Sequence, residues 1–221
     1  MINYQNFYYQ MLLVRRFEER LLELFKMGDL FGTSHTCIGQ EAIAVGVLNN
    51  LKDTDIVVSS HRCHGHYIAM TDDITGILAE IMGKEGGVCK GRGGSQHLHT
   101  RNFFSNGVQG NMFPVAAGMA YAEKEKGSSA ILVIFIGDGT FGEGVVYETL
   151  NLISLWEIPI LIVVENNRYA QSTSLDKNFA GSFSGRAGAF NVSVGEIETN
   201  DVEEINKRFE TWKEKTGDKS L

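Results

Sequence analysis

The sequence predicts an α/β protein built on a mostly parallel sheet, and three features of one stretch, Ile131 to Thr173, carry that expectation. Ile131 to Ile136 is an unbroken apolar run that meets Gly137-Asp138-Gly139, the pattern of a strand buried on both faces that ends in a tight turn. Val145, Leu150, Ile153 and Leu155 then recur at helical spacing and are read as the inward face of a helix that Pro159 stops. A second apolar strand, Ile160 to Val164, runs into Glu165-Asn166-Asn167. Strand, helix and strand make a β-α-β unit with both polar clusters at the carboxyl ends of parallel strands. Open α/β sheets bind ligands there, and the first cluster also faces a helix N-terminus, which favours a phosphate.

The residue types narrow the chemistry. Asp138 offers a hard carboxylate oxygen, Asn167 an amide oxygen, and the irregular backbone at Tyr169 a carbonyl, a set suited to Mg²⁺ with phosphate oxygens in its shell. Gly137 and Gly139 let the backbone approach the phosphate closely. Read without a ligand, the same residues are a helix-capping aspartate and turn asparagines in an ordinary β-α-β unit.

Composition bounds the rest. At 221 residues and 43% hydrophobic content the chain suits one domain with a substantial core, so a single domain over residues 1–221 is expected. A net charge of −7 and a pI near 5.4 argue against nucleic acid or an anionic membrane as the main partner. Three cysteines without a CxxC indicate neither a disulfide framework nor a thiolate zinc site, and a reducing cytoplasm is the expected compartment. The N-terminal stretch has no signal-peptide pattern and no apolar segment reaches the length of a membrane span, so no membrane partner is expected.

Taken in order, residues 4–27 carry Phe7, Met11, Val14, Phe17, Leu21, Leu24 and Phe25 at helical spacing, and Arg15, Arg16, Glu18 and Glu19 read as solvated ion pairs. His35 lies in a loop before a helix that starts near Gln40; taken by itself it is an ordinary surface or capping histidine. A short strand, Ile56 to Val58, leads to His61, Arg62, His64 and His66. Arg62 has the planar fork that meets diphosphate oxygens, and the histidines are suited to binding a substrate carboxylate or moving protons near neutral pH. A zinc reading of His61, His64 and His66 is weaker, because no HExxH-type pattern supplies the remaining ligands.

Residues 74–83 read as a short helix. Glycines between Gly86 and Gly94, with Lys90 and Arg92, read as a flexible basic loop that either closes over an anion or is a solvated turn. Gly107, Gly110 and Pro114 lead into an Ala/Gly-rich helix at Val115 to Ala122. Phe190 to Val194 alternates as a last strand, and the mixed-charge stretch from Asp201 to Lys219 carries Ile205, Phe209 and Trp212 at helical spacing.

Gly137-Asp138-Gly139, residues 140–165, and then Asn166-Asn167 within ENNRYA resemble the thiamine diphosphate motif. With Arg15-Arg16-Phe17-Glu18, His35 before Gly39-Gln40-Glu41-Ala42, His61-Arg62-Cys63-His64-Gly65, Gly93-Gly94-Ser95 and Gly107 to Pro114, the chain resembles the alpha subunits of the thiamine diphosphate-dependent 2-oxo-acid dehydrogenases, the pyruvate and acetoin enzymes included. The resemblance implies a three-layer α/β/α domain of the thiamine diphosphate-binding type with thiamine diphosphate and Mg²⁺ as cofactors. It implies Asp138, Asn167 and the Tyr169 carbonyl as Mg²⁺ ligands. Phosphate contacts would fall to His61, Arg62, Gly137, Gly139 and Thr140, and pyrimidine contacts to Gly107 and Gln109.

His35 inherits a substrate role, and His64 joins it as a catalytic candidate. Departures from the family pattern are His61 for its usual tyrosine and Gln109 for its usual aliphatic residue, both of which bear on substrate preference. The family's further C-terminal strand and histidine loop do not follow Leu221, which suggests a truncated or shortened member. The resemblance further implies decarboxylation of a 2-oxo acid such as pyruvate, or cleavage of acetoin, in an α2β2 assembly. The β subunit would supply the glutamate for the pyrimidine, and a lipoyl acyltransferase is the usual acceptor. The alternatives are the N-terminal half of a split transketolase and an inactive or regulatory cofactor-binding subunit.

Overall fold

The computed structural model describes residues 4–30 and 32–217. In chain order the main elements are α1 (Tyr4–Met27), α2 (Glu41–Leu48), β1 (Ile56–Ser59), α3 (His64–Thr71), α4 (Ile74–Ile81), β2 (His99–Thr100), β3 (Phe103–Ser105), α5 (Met112–Glu125) and β4 (Leu132–Gly137). They continue with α6 (Gly144–Leu155), β5 (Ile160–Glu165), β6 (Tyr169–Ala170), β7 (Thr173–Ser174), α7 (Leu175–Asn178), α8 (Phe183–Gly188) and α9 (Val202–Gly217). These segments fold into two compact units. Of the described residues, the first draws on those up to Asp53, on His61–Gly107 and on Thr199–Thr211; the second on Thr54–Ser60, Val108–Glu198 and residues 212–217.

In the first unit α1, α2 and α3 pack on one another. The inward stripe of α1 is Phe7, Val14, Phe17, Leu21 and Leu24, as the helical period requires, and it also contains Glu18. The expectation that Glu18 is a solvated charge is therefore corrected: it is fully buried. Its position four residues after Val14 and three before Leu21 puts it on the core face whatever its polarity. Gly46 of α2 lies so close to α9 that a Cβ there would come within 2.8 Å of Ile205 Cγ2.

The glycine-rich loop after α4 closes over an anion, and that anion is the chain's own. Glu80, fully buried, accepts N–H bonds from Cys89 (2.7 Å) and Gly91 (2.8 Å) on one carboxylate oxygen and from Gly93 (2.6 Å) and Gly94 (3.3 Å) on the other. The backbone is thus wound around a fixed charge, where the sequence suggested a flexible turn. A Cβ at Gly93 would stand 2.0 Å from the His97 carbonyl oxygen, so the winding admits no side chain there.

In the second unit β1, β4 and β5 are parallel. Ile56 to Val58 lie beside Leu132 to Ile134, and Leu132 to Gly137 beside Ile160 to Glu165. Leu132 to Ile136 are all buried, which is why this strand reads as a continuous apolar run. Helix α5 lies against it, and α6 packs on α5 and buries Val146, Thr149, Leu150 and Ile153. The register of α6 corrects the inward face read from the sequence, since Leu155 is exposed.

The strand expected over Phe190 to Val194 does not form. There the chain closes α8: the Ala187 carbonyl accepts from both Phe190 and Val192, and Asn191 takes the left-handed conformation at φ 59°. A backbone turned back on a helix has no extended segment to offer a neighbour. The expected C-terminal helix is α9; Lys219 lies outside the described residues. Among the described residues no helix is long and apolar enough to cross a membrane.

Burial pushes the Glu80 pKa up, but the backbone donors, Gly91 first, outweigh it and hold the carboxyl below its ordinary value. A depressed folded pKa means that the group contributes stability above the unfolded carboxylate pKa and loses it as pH falls through the lower folded value. Glu80→Ala should cost about 3 kcal/mol or more in urea unfolding at neutral pH, since charge-assisted hydrogen bonds are worth roughly 1.5–3 kcal/mol each. The gap between wild type and variant should narrow in acid. An equal cost at every pH would show that Glu80 acts by packing alone.

Candidate cofactor site

In the second unit Gly137 pairs with Glu165 at the carboxyl ends of β4 and β5, so Asp138 and the Asn166-Asn167 pair leave adjacent strand tips in the same direction. Asp138 is buried, and its two oxygens differ. Oδ1 accepts the Gly139 N–H at 2.8 Å; Oδ2 is buried without a hydrogen-bond partner. A buried, unmatched carboxylate oxygen is costly, and a divalent cation is one group that would remove the cost.

The neighbouring tip is organised to present oxygen as well. Asn167 Oδ1 accepts the Tyr169 N–H at 3.0 Å and Asn166 Oδ1 the Arg168 N–H at 3.2 Å, turns that hold the chain while Arg168 takes φ 65°. The Asn167 oxygen keeps a second lone pair, and the Tyr169 side chain is exposed. Beyond Asp138 the chain makes a 3₁₀ turn, Thr140–Gly142, with Thr140 buried. Gly139 abuts this tip, since a Cβ on it would lie 2.5 Å from Ala170 Cβ. Gln109 belongs to this unit too; its carbonyl accepts from Met112, and the adjoining Gly110 is pressed against Glu143, where a Cβ would meet Oε2 at 2.2 Å. Donor set and cradle fit a hydrated Mg²⁺ carrying phosphate oxygens.

In the first unit His35, His61, Arg62 and His64 are brought together. The rings of His35 and His61 meet edge to face with centroids 4.6 Å apart, and Arg62 donates to the Thr36 carbonyl at 2.7 Å. Burial, then the Arg62 charge and His64, hold the His35 pKa below its ordinary value, so His35 is neutral at pH 7. His64 is fully buried, with Nδ1 3.1 Å from Glu18 Oε1 and Nε2 2.9 Å from Ser95 Oγ. Gly107 faces Gln96, whose Oε1 would lie 2.2 Å from a Cβ placed there. Among the described residues no group of three His, Cys, Asp or Glu side chains is arranged to hold a metal, so His61, His64 and His66 do not assemble as one.

The family model described as the dehydrogenase E1 component matches residues 9–215. The chain belongs to this family. Among its curated E1 relatives, the pyruvate dehydrogenase E1 component subunit alpha of Rhizobium meliloti is 37% identical over 90% of this chain and 58% of its own length. The acetoin:2,6-dichlorophenolindophenol oxidoreductase alpha subunits of Bacillus subtilis and Cupriavidus necator are 40% and 41% identical, over 88% and 84% of this chain and 60% and 57% of their own. The chain therefore spans about three-fifths of the length of these E1 relatives.

Two residues of this E1 chain gain importance that sequence reasoning did not give them. Glu18 accepts from the Cys37 N–H (3.0 Å) as well as from His64; burial raises its pKa, and the bonds from His64 and Cys37 outweigh it and hold the carboxyl below its ordinary value. Its place in the buried stripe of α1 was the available signal. Ser95 links His64 to Ser34, whose Oγ lies 3.2 Å from its own, and nothing in a Gly-Gly-Ser run reveals that. Cys63 takes no part in acid–base work at neutral pH, because burial pushes its thiol up to about 12.

Gly139→Ala forces a methyl group into the Ala170 Cβ, so it should lower stability by about 1–3 kcal/mol, the usual cost of overpacking. Thermal unfolding measures this, and a variant as stable as wild type would show that β6 yields freely.

Proposed function

We propose that this chain is the alpha component of a two-component thiamine diphosphate-dependent enzyme that decarboxylates a 2-oxo acid such as pyruvate, or cleaves acetoin, and passes the fragment to an acceptor. The observation that carries the reading is the buried, unmatched Oδ2 of Asp138 at the tip of β4. Family membership and the names of the relatives, pyruvate dehydrogenase and acetoin oxidoreductase alpha subunits, support it.

Each residue has a physical task. Asp138, Asn167 and the Tyr169 carbonyl hold Mg²⁺; Gly137, Gly139 and Thr140 receive the diphosphate, and Arg62 supplies a fork of donors with His61 beside it. Gly107 and Gln109 offer backbone to the pyrimidine. When bound, thiamine diphosphate supplies the carbon nucleophile and the electron sink. His35, neutral at pH 7, gives a hydrogen bond to the 2-oxo acid without trapping it as an ion pair, and His64 holds or moves a proton behind it.

The carboxylate that keeps the pyrimidine protonated comes from a β subunit. Glu41 is committed to Arg15 at 2.6 Å and to the Gly39 N–H, and Glu148 lies exposed on α6. An α2β2 assembly, cytoplasmic and delivering to a lipoyl acyltransferase, completes the reading.

Titration calorimetry with thiamine diphosphate and Mg²⁺, on the chain with its β partner, should show binding that Asp138→Ala lowers by about 10²-fold or more, the loss expected of a buried charged ligand (roughly 3 kcal/mol or more). Retained affinity would remove the ligand assignment. Release of CO₂ from pyruvate by the pair, and not by the chain alone, is the expected activity; none from any 2-oxo acid or acetoin would leave an inactive, cofactor-binding subunit.

A further inference from the structure

Glu18, His64, Ser95 and Ser34 form a continuous line of hydrogen-bonding groups in the first unit. Glu18 Oε1 and Oε2 stand 3.1 and 3.3 Å from His64 Nδ1, His64 Nε2 stands 2.9 Å from Ser95 Oγ, and Ser95 Oγ stands 3.2 Å from Ser34 Oγ. Glu18 and His64 are fully buried, whereas Ser34 is half-buried and precedes His35 in the chain. One end is thus sealed in the core and the other is open.

We propose that this line is a proton relay, with Glu18 a positioning residue that keeps the His64 proton on Nδ1 and leaves Nε2 to exchange protons with Ser34 through Ser95. The carboxylate can only accept, so the neutral ring must turn Nδ1–H toward it; Nε2 then accepts from the Ser95 hydroxyl. Nε2 also lies 3.1 Å from the Ser95 carbonyl oxygen. That second contact suits only the charged ring, whose Nε2–H donates to the carbonyl while Nδ1–H still donates to Glu18. Each ring nitrogen therefore has a partner in both protonation states without the ring moving. A histidine with a purely structural task needs partners for one state.

The transfer balances without any further reagent than a water or hydroxyl at the open end. Ser95 Oγ–H gives its proton to Nε2, Ser34 Oγ–H replaces it on Ser95, and the water or substrate hydroxyl replaces the proton on Ser34. The sum is one proton moved from that water or hydroxyl, left as hydroxide or alkoxide, to the imidazole, whose new charge faces the Glu18 carboxylate; release runs in reverse. The catalytic use of the relay rests on the function proposed above, whereas its protonation pattern does not.

Imidazole nitrogen NMR on the chain with its β partner, with the His64 signals taken as those lost in His64→Gln, tests the pattern. In its neutral form the ring should carry its proton on Nδ1, with Nε2 hydrogen-bonded and unprotonated. Ser95→Ala should shift Nε2 toward the position of a free ring nitrogen and leave Nδ1 in place, and Ser95→Thr should restore it. A proton on Nε2 of the neutral ring, or an Nε2 signal indifferent to Ser95→Ala, overturns the relay. In the active pair Ser95→Ala should lower turnover by about 10²-fold, the ordinary worth of a positioned proton transfer, with Ser95→Thr close to wild type. Expected spectra from a pair without activity would refute the functional reading and leave the relay standing.

Discussion

A carboxylate oxygen removed from water and given no donor is the constraint on which the second unit depends. Strand β4 is apolar on both faces, so its end at Gly137 delivers the next residue into the interior, and that residue is Asp138. One oxygen is settled by the Gly139 N–H; the other is buried with no hydrogen-bond partner. An asparagine in its place would carry no charge to offset a divalent ion. Glycine at 139 has its own reason, the nearness of Ala170, so the two parts of the turn answer to different forces, one electrostatic and one steric.

The first unit treats its buried carboxylates in the opposite way. Glu80 is ringed by backbone N–H groups, Glu41 by Arg15 and the Gly39 N–H, and Glu18 by His64 and Cys37. Burying an ion is unfavourable unless donors replace the water, and each of these three has them. Asp138 Oδ2 lacks them, and that contrast, more than burial itself, sets Asp138 apart from the carboxylates that hold the fold.

What the sequence disclosed follows from periodicity. The β-α-β unit from Leu132 to Glu165 was legible because a strand buried on both faces has no polar interruptions and Pro159 marks its second start; α1 was legible because its apolar stripe keeps helical spacing over its whole length. The turn at the second strand tip was legible as Asn-Asn after a strand. Partnerships across the chain were not. Glu18 and His64 are separated by the whole of α2 and β1, and hydropathy alone marks a charged residue in an apolar stripe as an outward-facing exception. Phe190 to Val194 failed for a related reason: alternation is necessary for a half-buried strand, but a left-handed Asn191 and two bonds to Ala187 turned the segment back on α8.

The glycine loop shows how one buried charge can set geometry some distance along the chain. Gly93 and Gly94 donate to Glu80 Oε1, and the next residue is Ser95, whose hydroxyl and carbonyl both face His64 Nε2. Backbone held by a carboxylate has far less freedom than a loop held by side chains, because the donors are part of the chain whose path is being fixed. Glu80 thus anchors the backbone immediately before Ser95. The glycines here make room for that winding, as the 2.0 Å approach of the His97 carbonyl at Gly93 requires. Their spacing would pass for a phosphate-binding loop in a sequence, yet in this loop the anion they cradle is internal.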